Sequence, residues 1–556
     1  MVKYIDKYKI ITAGEMMSKL VRGTLLVTVA TFLTKFLGMI YVIPFNELVG
    51  ETGGTLYGYA YVPYNILLSI STIGVPLAVS KMVSRYNSLD DYYTGIRVFR
   101  AGILLMVITG ILAFLILYFG AERLANSMID DIDDDNITVA DITLVMKMVS
   151  FALLIIPGMS IVRGFFQGYQ SMGPTAISML IEQIARIAFL LISAFLVIKV
   201  YQGTIATAVG FATFSAFIGG LASIGVLAVY WKKRKHNIMY YVHNQTIKHD
   251  YPIKNLMLEL LSYAGPFILV GLANSLYQLI DMFTFQKAMV AIGQGDIWAV
   301  AFSVINVYGH KLVIVPVTIA TGMSLSLLPA LTSSFTQNNF NELFSQMNKG
   351  FQIVFVLVIP AAVGLLMLSD VAYGSLFKLD HIDISAPLLT WYAPTALLFA
   401  LFVVTTSMLQ GINQQNFAVI SLSAGLFLKI MFNTTFIHFF GAKGAIFGTA
   451  LGVGTAVGVN LWRIKVSIDF SYRKIGKQVM LISIFTGVMA LVIWLLKLIF
   501  GSFLDYLDNR LHATIVLIFG VGIGGFVYLW LAYQSTLLER TFGARVRKLD
   551  RFFHKF

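Results

Sequence analysis

The chain has 556 residues, of which 58% are hydrophobic and 12% charged, with a mean hydropathy of +0.80 and a formal net charge of +13. Those proportions exclude a soluble globular domain and describe a chain that crosses a bilayer many times. The absence of cysteine excludes disulfides, thiolate metal sites and cysteine nucleophiles, and leaves the redox compartment open.

Residues 1–19 form a basic amino-terminal segment, and the apolar run after them is too long for the core of a signal peptide, which predicts an uncleaved first helix. From there, runs long enough to cross about 30 Å of hydrocarbon recur along the chain. They cover 20–46, 58–86, 98–121, 140–166, 173–199, 204–231, 255–283, 298–331, 350–370, 385–409, 416–440, 444–464, 478–500 and 512–537. Lipid admits only helices or closed barrels, and strand-type alternation is not the dominant pattern. The expected fold is an all-α polytopic membrane protein of about fourteen transmembrane helices.

Threading these spans puts both termini on one side. The segments 232–254, 463–477 and 540–555 on that side carry six, five and six Lys or Arg residues, against about six in all the opposite loops together. The longest opposite loop holds the acidic run from Asp130 to Asp135. The positive-inside rule therefore predicts cytoplasmic amino and carboxyl termini in a plasma membrane. The net charge is mostly this topological bias, so it offers little support for nucleic-acid binding.

Weak internal symmetry relates spans 1–6 to spans 7–12. At an offset of 243 residues, Gln167, Gly168, Ser178 and Arg186 fall on Gln410, Gly411, Ser421 and Lys429, and at 242 Ala208 and Gly210 fall on Ala450 and Gly452. Such duplication predicts two pseudo-symmetric six-helix bundles, a frequent plan for alternating-access transporters with a midplane site. The expected domains are an N-lobe over 20–231, a basic cytoplasmic linker over 232–254, a C-lobe over 255–464, two further helices within 478–537 and a basic cytoplasmic tail over 538–556.

Lys35, Arg186, Lys311 and Lys429 lie near the middle of their spans. Each costs roughly 2.5–3.5 kcal/mol there unless solvated in a cavity or paired. Glu182 is the comparably deep acid, four residues before Arg186 and on the same helix face, where an ion pair that merely packs the helices competes with a functional role. The other cations favour a hydrated cavity for an anion, and a phosphate or diphosphate suits several convergent cations better than a lone carboxylate. His310 adjoins Lys311 and reads either as a proton-coupling group or, preferably, as a neutral packing histidine. Asp281 reads either as a ligand of a coupling cation or, preferably, as a residue in headgroup water. Arg163, Lys81 and Arg85 lie toward cytoplasmic ends, where basic side chains snorkel to lipid phosphates, and are candidate rim residues. Gly520 to Gly525 matches GxGxxG but lies inside an apolar run, so its spacing, like Gly448/Gly452 and Gly454/Gly458, reads as close helix packing. No residue set suggests catalysis, a metal site or a cofactor, and the coupling ion stays open among Na+, H+ and Cl−.

Thr34 to Gly38 in the first span, Val62 to Leu68 in the second, and Lys311 to Pro316 with Leu328 to Thr332 in the eighth resemble the MurJ family, lipid II flippases of the MOP superfamily. The sequence is most similar to its YtgP/stage V sporulation protein B branch. The resemblance implies a MOP fold and the movement of undecaprenyl-diphosphate-linked peptidoglycan precursor from inner to outer leaflet of a bacterial plasma membrane through a cationic cavity. It implies as partners lipid II or a related polyprenyl-diphosphate glycolipid, membrane lipids and the cell-wall synthesis machinery. The family's basic residues in its first and eighth helices fall on Lys35 and Lys311. Two further family arginines fall near Tyr41 and Ser69, and Arg186 and Lys429 are placed to supply that missing charge. By the same resemblance the last two helices form a groove for the polyprenyl tail. The alternatives are a flippase for another polyprenyl-diphosphate glycan of capsule or teichoic-acid type, a cation-coupled multidrug exporter, and a membrane scaffold without transport activity.

Overall fold

A computed structural model describes residues 30–31, 33–72, 75–130, 137–245, 252, 271–377 and 379–542. No strand occurs among the described residues, and eleven helical stretches there are long and apolar enough to cross a membrane. A helix covers the described part of each of the fourteen expected spans. The first half of the span at 255–283 and the acidic run after Asp130 lie outside the described residues.

Residues 33–40 are helical and lead through Tyr41 into α1 (Val42–Thr72). Gly50 interrupts α1 with φ 65° and ψ −165°, a left-handed conformation that favours glycine, so the first span ends and the second begins there. The second span continues in α2 (Val75–Asn87) and the third is α3 (Tyr92–Met128). The fourth is α4 (Val139–Ser150), a 3-10 turn over Phe151–Leu154 and α5 (Ile156–Gly168). The break follows from Pro157, which has no N–H for the Leu153 carbonyl. A Cβ on Gly110 would lie 2.6 Å from that carbonyl oxygen, so only glycine lets α3 pass so close.

α6 (Met172–Phe195) ends in a π turn over Leu196–Val200, and α7 spans Ile205–Asn244. At 40 residues α7 is about 60 Å long, twice the hydrocarbon thickness. The basic segment expected to be a connecting loop from 232 thus begins as a continuation of this helix. Further on come α8 (Ala273–Ala291), α9 (Trp298–Asn306), α10 (Tyr308–Thr336), α11 (Phe340–Met367) and α12 (Ser369–Leu376). They are followed by α13 (Ile382–Tyr392), α14 (Thr395–Gly411), α15 (Gln415–Phe440), α16 (Lys443–Ile468), α17 (Arg473–Gly501), α18 (Arg510–Gln534) and α19 (Leu537–Phe542). The tenth span divides at Pro394, for the same reason as the fourth.

The chain forms two compact units. One comprises the described parts of Met1–Phe45, Pro63–Arg123 and Ala140–Gly271; the other comprises those of Asn46–Val62, Leu124–Val139 and Leu272–Phe556. The first unit has a core in which Val79, Met82 and Val83 of α2 meet Phe99 and Met106 of α3 and Ile161 and Phe165 of α5. In the second, Ile482, Met489 and Ile493 of α17 and Val516 and Tyr528 of α18 pack with Val356 of α11 and Leu368 and Val371 at α12. The last two spans are thereby built into the second unit.

Glycines set the closest approaches. A Cβ on Gly520 would lie 2.7 Å from Leu368 and one on Gly524 2.8 Å from Ile493, as expected of a packing motif. Gly454 and Gly458 correct the sequence reading, since nothing lies within 4 Å of a Cβ on either. At the crossing of α15 and α16, by contrast, a Cβ on Gly452 would lie 2.8 Å from the carbonyl oxygen of Gly425, and Gly425 faces the Gly452 backbone in turn. Replacing Gly425 with valine is expected to force the two helices apart and destabilise the protein by about 1–3 kcal/mol. Gly454→Val should leave thermal unfolding in detergent within the scatter of wild type, so equal losses in the two variants would show that the crossing is not the cause.

Candidate substrate-transport site

Two polar networks sit inside the apolar helices, one in each unit. In the first unit, α5, α6 and α7 meet around Arg163. Its Nε donates to Ser178 Oγ at 2.8 Å, and its Nη2 donates to Glu182 Oε2 at 2.6 Å and to Ser223 Oγ at 2.8 Å. The two charged side chains are 15% and 21% exposed, so the pair is largely removed from water and lipid. A bidentate-capable guanidinium suits this role because its fixed fork can reach three acceptors on two neighbouring helices. Arg163 is therefore not a residue snorkelling to lipid phosphates. Glu182, expected to pair along its own helix with Arg186, is held across the helix interface.

Arg186 lies one turn further along α6 and is half-buried. A Cβ on Gly219 of α7 would lie 3.0 Å from Arg186 Cβ and 2.8 Å from the Glu182 carbonyl, so α7 runs tight against α6 at this level. Lys35 is exposed on the helix of residues 33–40. A Cβ on Gly38 would lie 3.3 Å from Gln183 Nε2, which sets the Thr34 to Gly38 segment beside the α6 stretch carrying Glu182 and Arg186. Lys81 and Arg85 are exposed on α2, whose buried side holds Val79, Met82 and Val83.

In the second unit the network centres on Lys429 of α15. Its Nζ donates to Asp281 Oδ2 on α8, to the Tyr277 carbonyl and to Thr449 Oγ1 on α16, each at 2.8 Å. Asn433, one turn along from Lys429, donates from Nδ2 to Asp281 Oδ1 at 3.1 Å and to Thr284 Oγ1 at 2.8 Å. Lys429 is 0% and Asp281 3% exposed. These contacts correct two expectations: Asp281 is not in headgroup water, and the three donors of Lys429 are engaged by protein acceptors rather than presented to an anion. The repeat explains the difference between halves. At the 243-residue offset Glu182 falls on Gly425 and Arg163 on Thr406, so the second half lacks both members of the first pair and draws its acid from α8.

His310 of α10 is buried. Its Nδ1 is 2.6 Å from Tyr392 Oη and its Nε2 3.0 Å from Asn274 Nδ2, so both ring nitrogens are engaged within the protein. That arrangement fixes the ring as part of the packing of α8, α10 and α13. Lys311, the next residue, is half-buried, with Nζ 6.0 Å from the centroid of the Tyr57 ring, a cation–π distance.

The sequence reading missed Ser223, Thr284, Asn433 and Thr449 in the two networks, and Tyr392 and Asn274 as the partners of His310. Asn433 could have been found, because it stands four residues after a deep lysine and hence on the same face. It also missed a third ion pair, Lys497 of α17 with Asp370 of α12 at 2.7 Å.

Helices throughout the described residues, eleven of them long and apolar enough to cross a membrane, and basic side chains deep within those helices make up a polytopic membrane transporter. The description "Polysaccharide biosynthesis protein" belongs to a family model that matches residues 20–335. The lipid II flippase MurJ of Bacillus subtilis (strain 168) is 41% identical over 542 residues, covering 97% of this chain and 99% of that protein. Among solved structures, MurJ in an inward closed conformation matches with a TM-score of 0.64 at 17% identity, covering 93% of this chain and 99% of that one. An inward-facing MATE family multidrug transporter of the MOP superfamily matches with a TM-score of 0.61 at 16% identity, over 78% of this chain and 94% of that one. The chain belongs to the MurJ family.

Proposed function

We propose that this chain carries lipid II, the undecaprenyl-diphosphate-linked peptidoglycan precursor, from the inner to the outer leaflet of the plasma membrane by alternating access, with both termini in the cytoplasm. The observation that carries the reading is the near full-length likeness to a lipid II flippase. The charges are consistent with it: among the deep residues described above, the first unit holds Lys35, Arg163 and Arg186 against Glu182, and the second Lys311, Lys429 and Lys497 against Asp281 and Asp370. That balance suits an anionic cargo and opposes a cationic drug.

Lys35, Arg186 and Lys311 engage the diphosphate during its passage, at one step or at successive steps. Lys429, Asp281, Arg163 and Glu182 instead hold the helices in register, and His310 orients the segment that carries Lys311. Helices α17 and α18 accompany the polyprenyl tail, which stays in lipid throughout. An inside-negative potential favours export, because each negative charge moved outward gains about 2.3 kcal/mol per 100 mV.

The test is a flipping assay in proteoliposomes containing purified protein, with lipid II and with an unrelated polyprenyl-diphosphate sugar as parallel cargoes. Translocation of lipid II with little of the other is expected, and it should accelerate under an inside-negative potential. Transfer of the second glycolipid alone would reassign the chain to capsule or teichoic-acid export. In cells, depletion should cause lipid II accumulation and lysis, whereas viable cells missing one surface polymer would overturn the assignment.

A further inference from the structure

The first unit carries a groove of about 280 Å³ lined by residues of α3, α5 and α7. Phe99, Val162 and Leu227 form its floor, Ile224 and Ala228 line it along α7, and Trp231 and the stem of Lys232 close one end. Its walls are carbon throughout. The indole of Trp231 is fixed from below, with its ring centroid 5.4 Å from Phe99 in a stacked arrangement and 5.7 Å from Phe165. The aromatic contacts thus hold the indole in place at the edge of the recess.

Immediately beyond Trp231, α7 reads Lys232, Lys233, Arg234, Lys235. On a helix advancing 100° per residue, Lys232 and Lys235 lie about 60° apart and fall on the same stripe as Ile224 and Ala228. Both are exposed. Arg234 points elsewhere: it bonds Ser171 Oγ and stands 5.7 Å from the Phe166 ring and 5.6 Å from that of Tyr230. The order along one face is therefore apolar recess, indole, then two ammonium groups. That order matches the order of parts in a phospholipid lying along the helix, with acyl chain, glycerol ester region and phosphate in sequence.

We propose that this groove is a binding site for one anionic phospholipid, with an acyl chain in the recess and the headgroup phosphate between Lys232 and Lys235. A paired ammonium site distinguishes an anionic headgroup from a zwitterionic one, which brings its own cation to the same place. The site is distinct from the residues assigned to the cargo, since it uses none of Lys35, Arg186 or Lys311.

The test uses the full chain purified in detergent and exposed to equimolar phosphatidylglycerol and phosphatidylethanolamine, with bound lipid counted by native mass spectrometry. Wild type is expected to retain one phosphatidylglycerol in preference to phosphatidylethanolamine by on the order of tenfold. The K232Q/K235Q variant should lose that preference while K233Q keeps it, and Ala228→Trp should lose the retained lipid by filling the recess. Brominated acyl chains on phosphatidylglycerol should quench fluorescence that is lost in Trp231→Phe, a readout in bilayers that needs no change of headgroup charge in the protein. Equal retention of the two phospholipids by wild type, or retention unaltered in both K232Q/K235Q and Ala228→Trp, would overturn the proposal. Displacement of the bound lipid by stoichiometric undecaprenyl diphosphate would also overturn it, by making the groove part of the cargo's route.

Discussion

Replacing Asp281 with alanine is expected to lower the stability of the protein by about 3–5 kcal/mol, the range seen when one partner of a buried ion pair is removed. The Lys429 ammonium is fully enclosed, and its remaining acceptors, the Tyr277 carbonyl and the Thr449 hydroxyl, are neutral. Without the carboxylate the charge must either stay buried and uncompensated or be shed as a proton, and both states are poorer than the native pair. Asn433 would also lose its Oδ1 acceptor on Asp281 and keep only Thr284. Asp281→Ala should therefore show a large fall in the midpoint of thermal unfolding in detergent and in membrane yield. The double replacement Lys429→Met with Asp281→Leu removes both charges and fills the space with carbon, so most of the loss should be recovered. If the double variant is no more stable than Asp281→Ala, the ion pair is not the source of the cost.

The second large effect is on transport. Arg186→Ala and Lys311→Ala should each reduce lipid II translocation by at least tenfold while leaving membrane insertion and the unfolding midpoint close to wild type. Neither side chain is fully enclosed, so truncation leaves a smaller defect in packing than at Lys429. A charge-assisted contact to a phosphate oxygen contributes roughly 1.5–3 kcal/mol, which is at least tenfold in a binding or rate constant. Arg186→Lys and Lys311→Arg keep the charge and should restore part of the rate, whereas glutamine at either position should not. Wild-type translocation by both alanine variants would remove these residues from the transport path.

The number and placement of the spans were legible because hydropathy over twenty residues is a strong, local signal. Breaks within spans were not predicted: Pro157 and Pro394 mark two of them, but Pro63 and Pro360 lie inside helices that run on, and the break at Val307 has no proline. The interruption at Gly50 falls in the gap that hydropathy left between the first two spans. The deep charges were visible as individuals, but their partners were not. The i,i+4 rule linked Glu182 to Arg186 within one helix, yet the structure joins Glu182 to Arg163 across the α5–α6 interface and Lys429 to an aspartate 148 residues away. Pairing across helices depends on helix rotation and crossing, and here close crossings are set by single glycines such as Gly219, Gly425 and Gly452. Those contacts turn on tenths of an ångström, beyond the reach of a one-dimensional pattern.

The uninterrupted length of α7 has a mechanical consequence. A straight rod of about 60 Å that tilts by roughly 5° about one end carries its far end through about 5 Å. Whatever small rocking the first unit undergoes within the bilayer is thus magnified at Asn244, outside the hydrocarbon. A spin label placed near that tip would act as the pointer of a gauge, converting sub-ångström adjustments among the helices into a displacement that spectroscopy can follow through the transport cycle.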